Sequence, residues 1–218
     1  MSNVSYDYIE DYIRGLIPEK TGSLKTMEDY AEENHVPIIH PEVGQFLRVI
    51  IKSHKVKRIL EVGCAIGYSS CLMAQAAGED CQITTIERDE EMYEKAVANI
   101  TAMGLDRNIT VLKGDAMELL ATIQGEYDMI FLDAAKGHYD HFLPDCMRVL
   151  KKGGIIIGDN VLFRGMVASR ELVIRRKITI VKRMRKYLQH ISNMKQLETV
   201  VLPIGDGVAF SCKVEELI

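Results

Sequence analysis

Five short aliphatic runs recur along the chain, and helical patterns separate them. They cover residues 58–62 (RILEV, followed by Gly63), 82–87 (QITTIE), 109–113 (ITVLK), 127–133 (YDMIFLD) and 154–159 (GIIIGD). Near-continuous apolar runs of this length belong to strands buried on both faces, as in a parallel sheet covered by helices. Between them, residues 90–103 place Met92, Ala96, Ile100 and Met103 on one helical face. Residues 136–150 carry Phe142, Met147 and Leu150, with Pro144 marking a late start or a kink. Strand and helix in alternation predict an α/β fold, a doubly wound and mostly parallel sheet.

The two ends depart from this rhythm. Residues 6–16 and 26–33 read as helices, with Pro18, Pro37 and Pro41 as breakers. Residues 1–50 are therefore expected to form a helical cap, and residues 55–218 the core of one domain. Residues 198–214 read as two strands around Pro203-Ile204-Gly205-Asp206-Gly207, an antiparallel hairpin that brings the sheet to seven strands.

Composition removes several classes. At 218 residues the chain is long enough for a large core, and 47% hydrophobic with 27% charged residues excludes global disorder. No apolar run approaches the ~20 residues of a membrane span, and the first ten residues lack the basic-then-apolar order of a secretory signal. The five cysteines (Cys64, Cys71, Cys81, Cys146, Cys212) contain no CxxC pair, so they are expected as thiols of a cytoplasmic protein. Net charge is −4, but ten basic residues and one acid fall between Arg164 and Lys195. That window carries +9 and the remainder −13, the asymmetry of an anion-binding surface on an acidic protein.

Three features point to a nucleoside ligand. Glu61-Val62-Gly63-Cys64-Ala65-Ile66-Gly67-Tyr68-Ser69 follows the first strand, and its glycines permit a tight turn and close backbone approach. The spacing is G-x-x-x-G, not the G-x-G-x-x-G that cradles a pyrophosphate, and Glu61 suits an ammonium group. Glu87 ends the second strand, where a carboxylate bonds a ribose diol. Gly114-Asp115-Ala116 follows the third strand, where Asp115 or a backbone group can bond an adenine amine. A ribose acid, an adenine loop and a glycine turn without a phosphate site describe S-adenosyl-L-methionine better than NAD.

Asp133, Asp159 and Asn160 all fall at carboxyl ends of expected strands. Two carboxylates and an amide are hard oxygen donors suited to Mg²⁺, with Mn²⁺ or Ca²⁺ as alternatives; the competing reading is that such acids only cap helices or turns. Lys136, three residues after Asp133, reads either as a base of depressed pKa or as a solvated helix-start lysine. His138 and His141 lack a third ligand and read as surface or packing residues. The segment 171–191 (ELVIRRKITIVKRMRKYLQHI) has helical form, with Leu172, Ile174, Ile178, Val181, Met184 and Leu188 as an apolar stripe. Arg175, Arg176, Lys177, Lys182, Arg183 and Lys186 surround it. Nucleic acid is the natural partner of so one-sided a charge run, with an anionic membrane as the competing reading.

These residues together resemble the cation-dependent O-methyltransferases, the group that includes catechol and caffeoyl-CoA methyltransferases. The resemblance is carried by Val36-Pro37-Ile38-Ile39, the Glu61–Ser69 loop, Ile86-Glu87-Arg88, Gly114-Asp115-Ala116, Asp133-Ala134-Ala135-Lys136, Asp159-Asn160-Val161-Leu162 and Pro203–Gly207. Within the family the chain is most similar to bacterial tRNA 5-hydroxyuridine methyltransferases. Leu16-Ile17-Pro18-Glu19, the run from Asp159 to Ala168 and Arg175-Arg176-Lys177 carry that closer likeness. The resemblance implies a Rossmann-like methyltransferase fold and metal at Asp133, Asp159 and Asn160. It implies cofactor contacts at Ile39, Gly63, Ser69, Glu87, Ala116 and Asp133, with Glu61, Gly67, Tyr68 and Asp115 in the same loops, and a base or positioning role for Lys136. It also implies a homodimer without membrane attachment, and a tRNA anticodon stem-loop held by Arg164, Arg175, Arg176, Lys177, Arg183 and Lys186. Two alternatives stand beside this: a small-molecule catechol or caffeoyl-CoA-type enzyme, and a non-catalytic RNA-binding protein regulated by an adenosyl ligand. The chain departs from relatives at Ala65 (a glycine in the wider methyltransferase loop), Ile39 (methionine in many of the subgroup) and Phe163 (tryptophan in the plant enzymes).

Overall fold

A computed structural model of the protein describes residues 4–134 and 137–214. Its seven strands are β1 (Arg58–Val62), β2 (Gln82–Glu87), β3 (Ile109–Lys113), β4 (Tyr127–Leu132), β5 (Leu150–Gly158), β6 (Leu197–Leu202) and β7 (Val208–Lys213). They form one sheet in the order β3-β2-β1-β4-β5-β7-β6. The first five are parallel, while β7 runs antiparallel to both β5 and β6. The expected doubly wound sheet with a terminal hairpin is therefore present, and the hairpin inserts its second strand beside β5.

Successive strand residues feed opposite cores, because side chains alternate across a sheet. Ile59, Met129, Phe131, Ile155 and Ile157 join one core; Leu60, Val62, Ile130, Leu132 and Ile156 join the other. The chain opens with α1 (Asp7–Gly15), α2 (Ser23–Glu33), α3 (Pro41–Ser53), α4 (Tyr68–Ala77) and α5 (Glu90–Ala102). Helices α2 to α5 cover the first core with Leu24, Met27, Leu47, Leu72 and Ile100. On the other face lie α6 (Ala116–Thr122), α7 (Tyr139–Val149) and α8 (Ile178–Asn193), which contribute Leu120, Phe142, Val181 and Met184. Among the described residues no helix is long and apolar enough to cross a membrane. All five cysteines are free.

The N-terminal cap contains a helix the sequence reading did not foresee. Pro41, taken as a breaker, is the first residue of α3. That position tolerates proline, because its missing N–H would have had no partner within the helix. By contrast α1 buries no residue, and Tyr8, Tyr12 and Leu16 are exposed. Helix α7 starts only at Tyr139, the late start that Pro144 suggested.

The basic segment needs a larger correction. The expected helix over 171–191 begins at Ile178, after a 3₁₀ turn at Arg175–Lys177. Leu172 and Ile174, assigned to the apolar stripe, are 39% and 52% exposed. Phe163, Met166 and Val167 from the preceding loop fill the core instead. Three adjacent cations are also unfavourable inside the first turn of a helix, where the dipole is positive. Farther on, Val181 and Met184 are buried as expected, joined by Tyr187 and Ile191.

Candidate active site

The sheet reverses its strand order at β1, which pairs with β2 on one side and β4 on the other. The carboxyl ends of β1 and β4 therefore border a crevice, the usual ligand site of an open α/β sheet. A cavity of about 950 Å³ opens there.

One wall comes from the ends of β1 to β3. Gly63 has φ +91°, and a Cβ there would lie 2.6 Å from Ala134 Cβ and 2.8 Å from the Asp133 carbonyl oxygen. Only glycine lets the loop close against the end of β4. Ala65 adopts φ +44°, so the position where relatives carry glycine keeps the left-handed conformation here. Its N–H donates to Glu87 Oε2 at 2.9 Å, while the Arg88 and Asp89 N–H groups donate to Oε1, each at 2.9 Å. Three backbone donors thus fix the Glu87 carboxylate at the cavity wall. Asp115 caps α6 by accepting the Met117 N–H at 2.8 Å, and Ala116 begins that helix. Ile39, Gly63, Tyr68, Ser69, Glu87, Asp115 and Ala116 all line the cavity. The Tyr68 hydroxyl donates to Glu28; burial raises its pKa, and that bond adds to the effect.

Two of the expected cofactor residues take other roles. Glu61 is fully buried beneath the loop and does not line the cavity. Its carboxylate accepts from Ser70 Oγ and, at 2.7 Å, from Thr85 Oγ1. Burial pushes its pKa up, opposed by hydroxyl donation from Ser69, Ser70 and Thr85. Gly67, also outside the lining, is a packing glycine: at φ +80° its Cβ would sit 3.3 Å from Ala96. Sequence position alone does not separate a side chain above the sheet from one under the loop.

The opposite wall carries Asp133, Asp159 and Asn160, all lining the cavity. Asp133 follows β4, its N–H donating to the Val62 carbonyl at 3.0 Å. Asp159 follows β5 and is fully buried, with Oδ1 accepting the Asn160 N–H at 2.6 Å. Tyr139, which the sequence reading did not single out, ties these ends together. Its hydroxyl lies 2.8 Å from the Leu132 carbonyl oxygen and 3.1 Å from that of Asp159. Burial raises the Tyr139 pKa strongly, and the charges of Asp133 and Asp159 raise it further. The only early sign of this role was an aromatic six residues after Asp133. Among the described residues no three His, Cys, Asp or Glu side chains gather into a metal cluster, so the candidate donor set is two carboxylates and an amide. Lys136 lies outside the described residues.

The mouth is basic. Arg164, Arg176 and Lys177 line the cavity, with the Lys177 ammonium 5.7 Å from the Phe163 ring centroid. Arg175, Arg183 and Lys186 do not line it, and Lys186 pairs with Asp140 at 2.6 Å. Arg185 is committed to the Val167 and Met166 carbonyls at 2.8 and 3.1 Å. His138, read as a surface or packing residue, borders the cavity, whereas His141 is exposed.

The cap reaches the same cavity through Glu10, Arg14 and His40. Arg14 makes two 2.9 Å bonds to Glu42 and lies 3.3 Å from His40 Nδ1, with Glu10 at 3.6 Å. Burial alone would raise the Glu42 pKa, but the Arg14 hydrogen bond and charge outweigh it and the net shift is downward. A carboxylate whose folded pKa is depressed contributes stability that is present above its unfolded pKa and lost as pH falls through the folded value. Amide exchange in α1 is therefore expected to accelerate as pH drops below about 4, with Asp11, Glu10 and His40 as the neighbouring titrating groups. Glu42→Gln should give the fast exchange already at neutral pH. Equal α1 protection in that variant would show that Arg14–Glu42 does not dock the helix.

Parallel β1 to β5, the antiparallel β7 insertion and a crevice without phosphate glycines define a Rossmann-like, S-adenosylmethionine-dependent methyltransferase fold. The chain belongs to the O-methyltransferase family, whose model matches residues 20–214. It is an enzyme that transfers a methyl group to oxygen. A caffeoyl-CoA O-methyltransferase of Stellaria longipes is 30% identical over 221 residues, covering 96% of this chain and 90% of the relative. A catechol O-methyltransferase of Niastella koreensis is 30% identical over 173 residues, 77% of this chain and 78% of the relative. Among solved structures, a Staphylococcus aureus protein provisionally named a caffeoyl-CoA O-methyltransferase superposes with TM-score 0.89 at 33% identity, covering 95% of this chain and all of that one. A Bacillus cereus O-methyltransferase in complex with SAH shares the fold at TM-score 0.84 and 22% identity, over 98% of this chain and 100% of that one.

Proposed function

We propose that the protein is a Mg²⁺-dependent O-methyltransferase that methylates 5-hydroxyuridine at the wobble position of tRNA, using S-adenosyl-L-methionine. The observation that carries this is the basic mouth: Arg164, Arg176 and Lys177 border the same cavity as Asp133, Asp159 and Asn160. Phosphate contacts supply sequence-independent affinity for RNA, and an anticodon-loop base splayed from its stack can enter such a cavity. The reading includes cytoplasmic location and a homodimer, for which the exposed Tyr8, Tyr12 and Leu16 of α1 offer an apolar face.

The donor set fits a hard divalent cation, since both carboxylates and the amide border one cavity and Asp159 is already oriented by the Asn160 N–H. When bound, the sulfonium cofactor supplies an electrophilic methyl group and the cation lowers the pKa of an acceptor hydroxyl. Glu87, held by three N–H donors, accepts the ribose hydroxyls. Asp115 and Ala116 border the adenine, and Ser69 and Ile39 the methionine end. Asp133, between the two walls, orients both partners, and Lys136 takes the acceptor proton. Catalysis then consists largely of positioning and charge stabilisation.

The names of the relatives favour a second reading, a caffeoyl-CoA or catechol-type enzyme acting on a small molecule with two adjacent oxygens. One experiment separates them: methyl transfer from labelled S-adenosylmethionine to total tRNA from a bacterial strain lacking this gene, with Mg²⁺ and with chelator, beside a catechol control. Label recovered as 5-methoxyuridine only with metal is the expected result. Unlabelled tRNA with methylated catechol would establish the small-molecule reading. The sedimentation profile of the same preparation tests the dimer.

A further inference from the structure

We propose that Asp206 is a positioning residue for methyl transfer, holding the loop 160–165 in the one shape that presents Asn160 and Phe163 to the cavity. The proposal rests on the metal reading of Asn160 for only one of its two readouts.

The loop leaves β5 through backbone that side-chain-bearing residues avoid. Asn160, Phe163 and Arg164 have φ of 55°, 45° and 55°, and Gly165 follows at 75°. Three left-handed non-glycine residues within five positions persist only where the surroundings impose them. Those surroundings are the turn between β6 and β7. The Asp206 carboxylate accepts the Arg164 N–H, its carbonyl accepts the Leu162 N–H at 3.0 Å, and the Gly207 carbonyl accepts the Val161 N–H at 2.9 Å. The contact leaves no slack, because a Cβ on Gly207 would lie 2.3 Å from Leu162 Cγ.

The turn itself cannot drift. The β5–β7 register sets Ala209 opposite Gly158, one residue before Asp159. On its other side, a Cβ on Gly205 would lie 2.8 Å from Val43 Cγ2 and 3.3 Å from His40 of the cap. Asp206 is 7% exposed and borders the cavity, yet it does not complete a three-acid cluster among the described residues. It therefore acts through the Arg164 amide and the loop, not as a further metal ligand. The sheet holds Asp159 directly; Asn160, Phe163 and Arg164 depend on this link.

Asp206→Ala, Asp206→Asn and wild type would be compared by amide exchange, by Mn²⁺ binding in electron paramagnetic resonance, and by calorimetric binding of S-adenosylhomocysteine. In the alanine variant, exchange over residues 161–165 should rise about tenfold or more and Mn²⁺ affinity fall about fivefold. Affinity for S-adenosylhomocysteine should stay within about twofold, since Glu87 and Asp115 stand on the other wall. Asp206→Asn keeps an oxygen for the Arg164 N–H and should recover both losses to within about threefold. Unchanged loop exchange in Asp206→Ala, no recovery in Asp206→Asn, or homocysteine-ligand affinity falling in step with Mn²⁺ would each overturn the proposal. Should wild type bind no Mn²⁺, the metal reading fails and loop exchange alone decides the positioning role. Should Asp206→Ala not fold, Asp206→Ser, which shortens the acceptor, is judged by the same criteria.

Discussion

Asp133→Ala should lower methyl transfer by about 10³-fold while leaving the fold intact. The expectation of an intact fold has a structural reason. Asp133 is placed by its own backbone, whose N–H bonds the Val62 carbonyl at 3.0 Å in the sheet's parallel pattern. The side chain is free of that task and borders the cavity with Asp159 and Asn160. Chelator applied to wild type should reproduce the loss, and Mg²⁺ should not rescue the variant. Calorimetric unfolding would confirm that the variant melts near wild type. Metal-stimulated turnover persisting in Asp133→Ala would remove Asp133 from the donor set, and with it the account of the two walls as cofactor side and acceptor side.

Neutralising Arg164, Arg176 and Lys177 together should weaken tRNA binding by about one to two orders of magnitude at low salt. It should also reduce the slope of log affinity against log salt by about two to three, one counterion released per lost phosphate contact. Filter binding across a salt series reads both. Lys186→Gln offers the contrast. Its ammonium already pairs with Asp140 at 2.6 Å, so its loss should change the slope by much less. An unchanged slope in the triple variant would return the basic mouth to a structural role and favour the small-molecule reading.

The architecture was legible because it is written in local periodicity. Three strands, Arg58–Val62, Gln82–Glu87 and Ile109–Lys113, fall where their apolar runs lie, since strands buried on both faces leave no polar alternation to mislead. The strand-end acids were legible for the same reason: once the strands are placed, their carboxyl ends are placed with them. Glu87, Asp115, Asp133, Asp159 and Asn160 accordingly all line one cavity. Glu61 was misread because alternation within β1 points it under the loop, where Ser70 and Thr85 receive it. Its distance along the chain from Gly63 does not reveal that.

Where the chain turns against its own preferences, only the tertiary structure decided. Helical spacing over 171–191 favoured one continuous helix, yet α8 starts at Ile178. The loop before it is shaped by left-handed residues pinned to Asp206 and Gly207, some 40 residues away in sequence. Tyr139 and Arg14 belong to the same class: each joins elements through contacts that no local pattern encodes. The sequence by itself determined the strands, their order of appearance and the acids at their ends, because those follow from the period of burial. The tertiary structure decided which side chains face the cavity and which residues hold them there, because long-range hydrogen bonds and close packing override local propensity wherever distant segments meet.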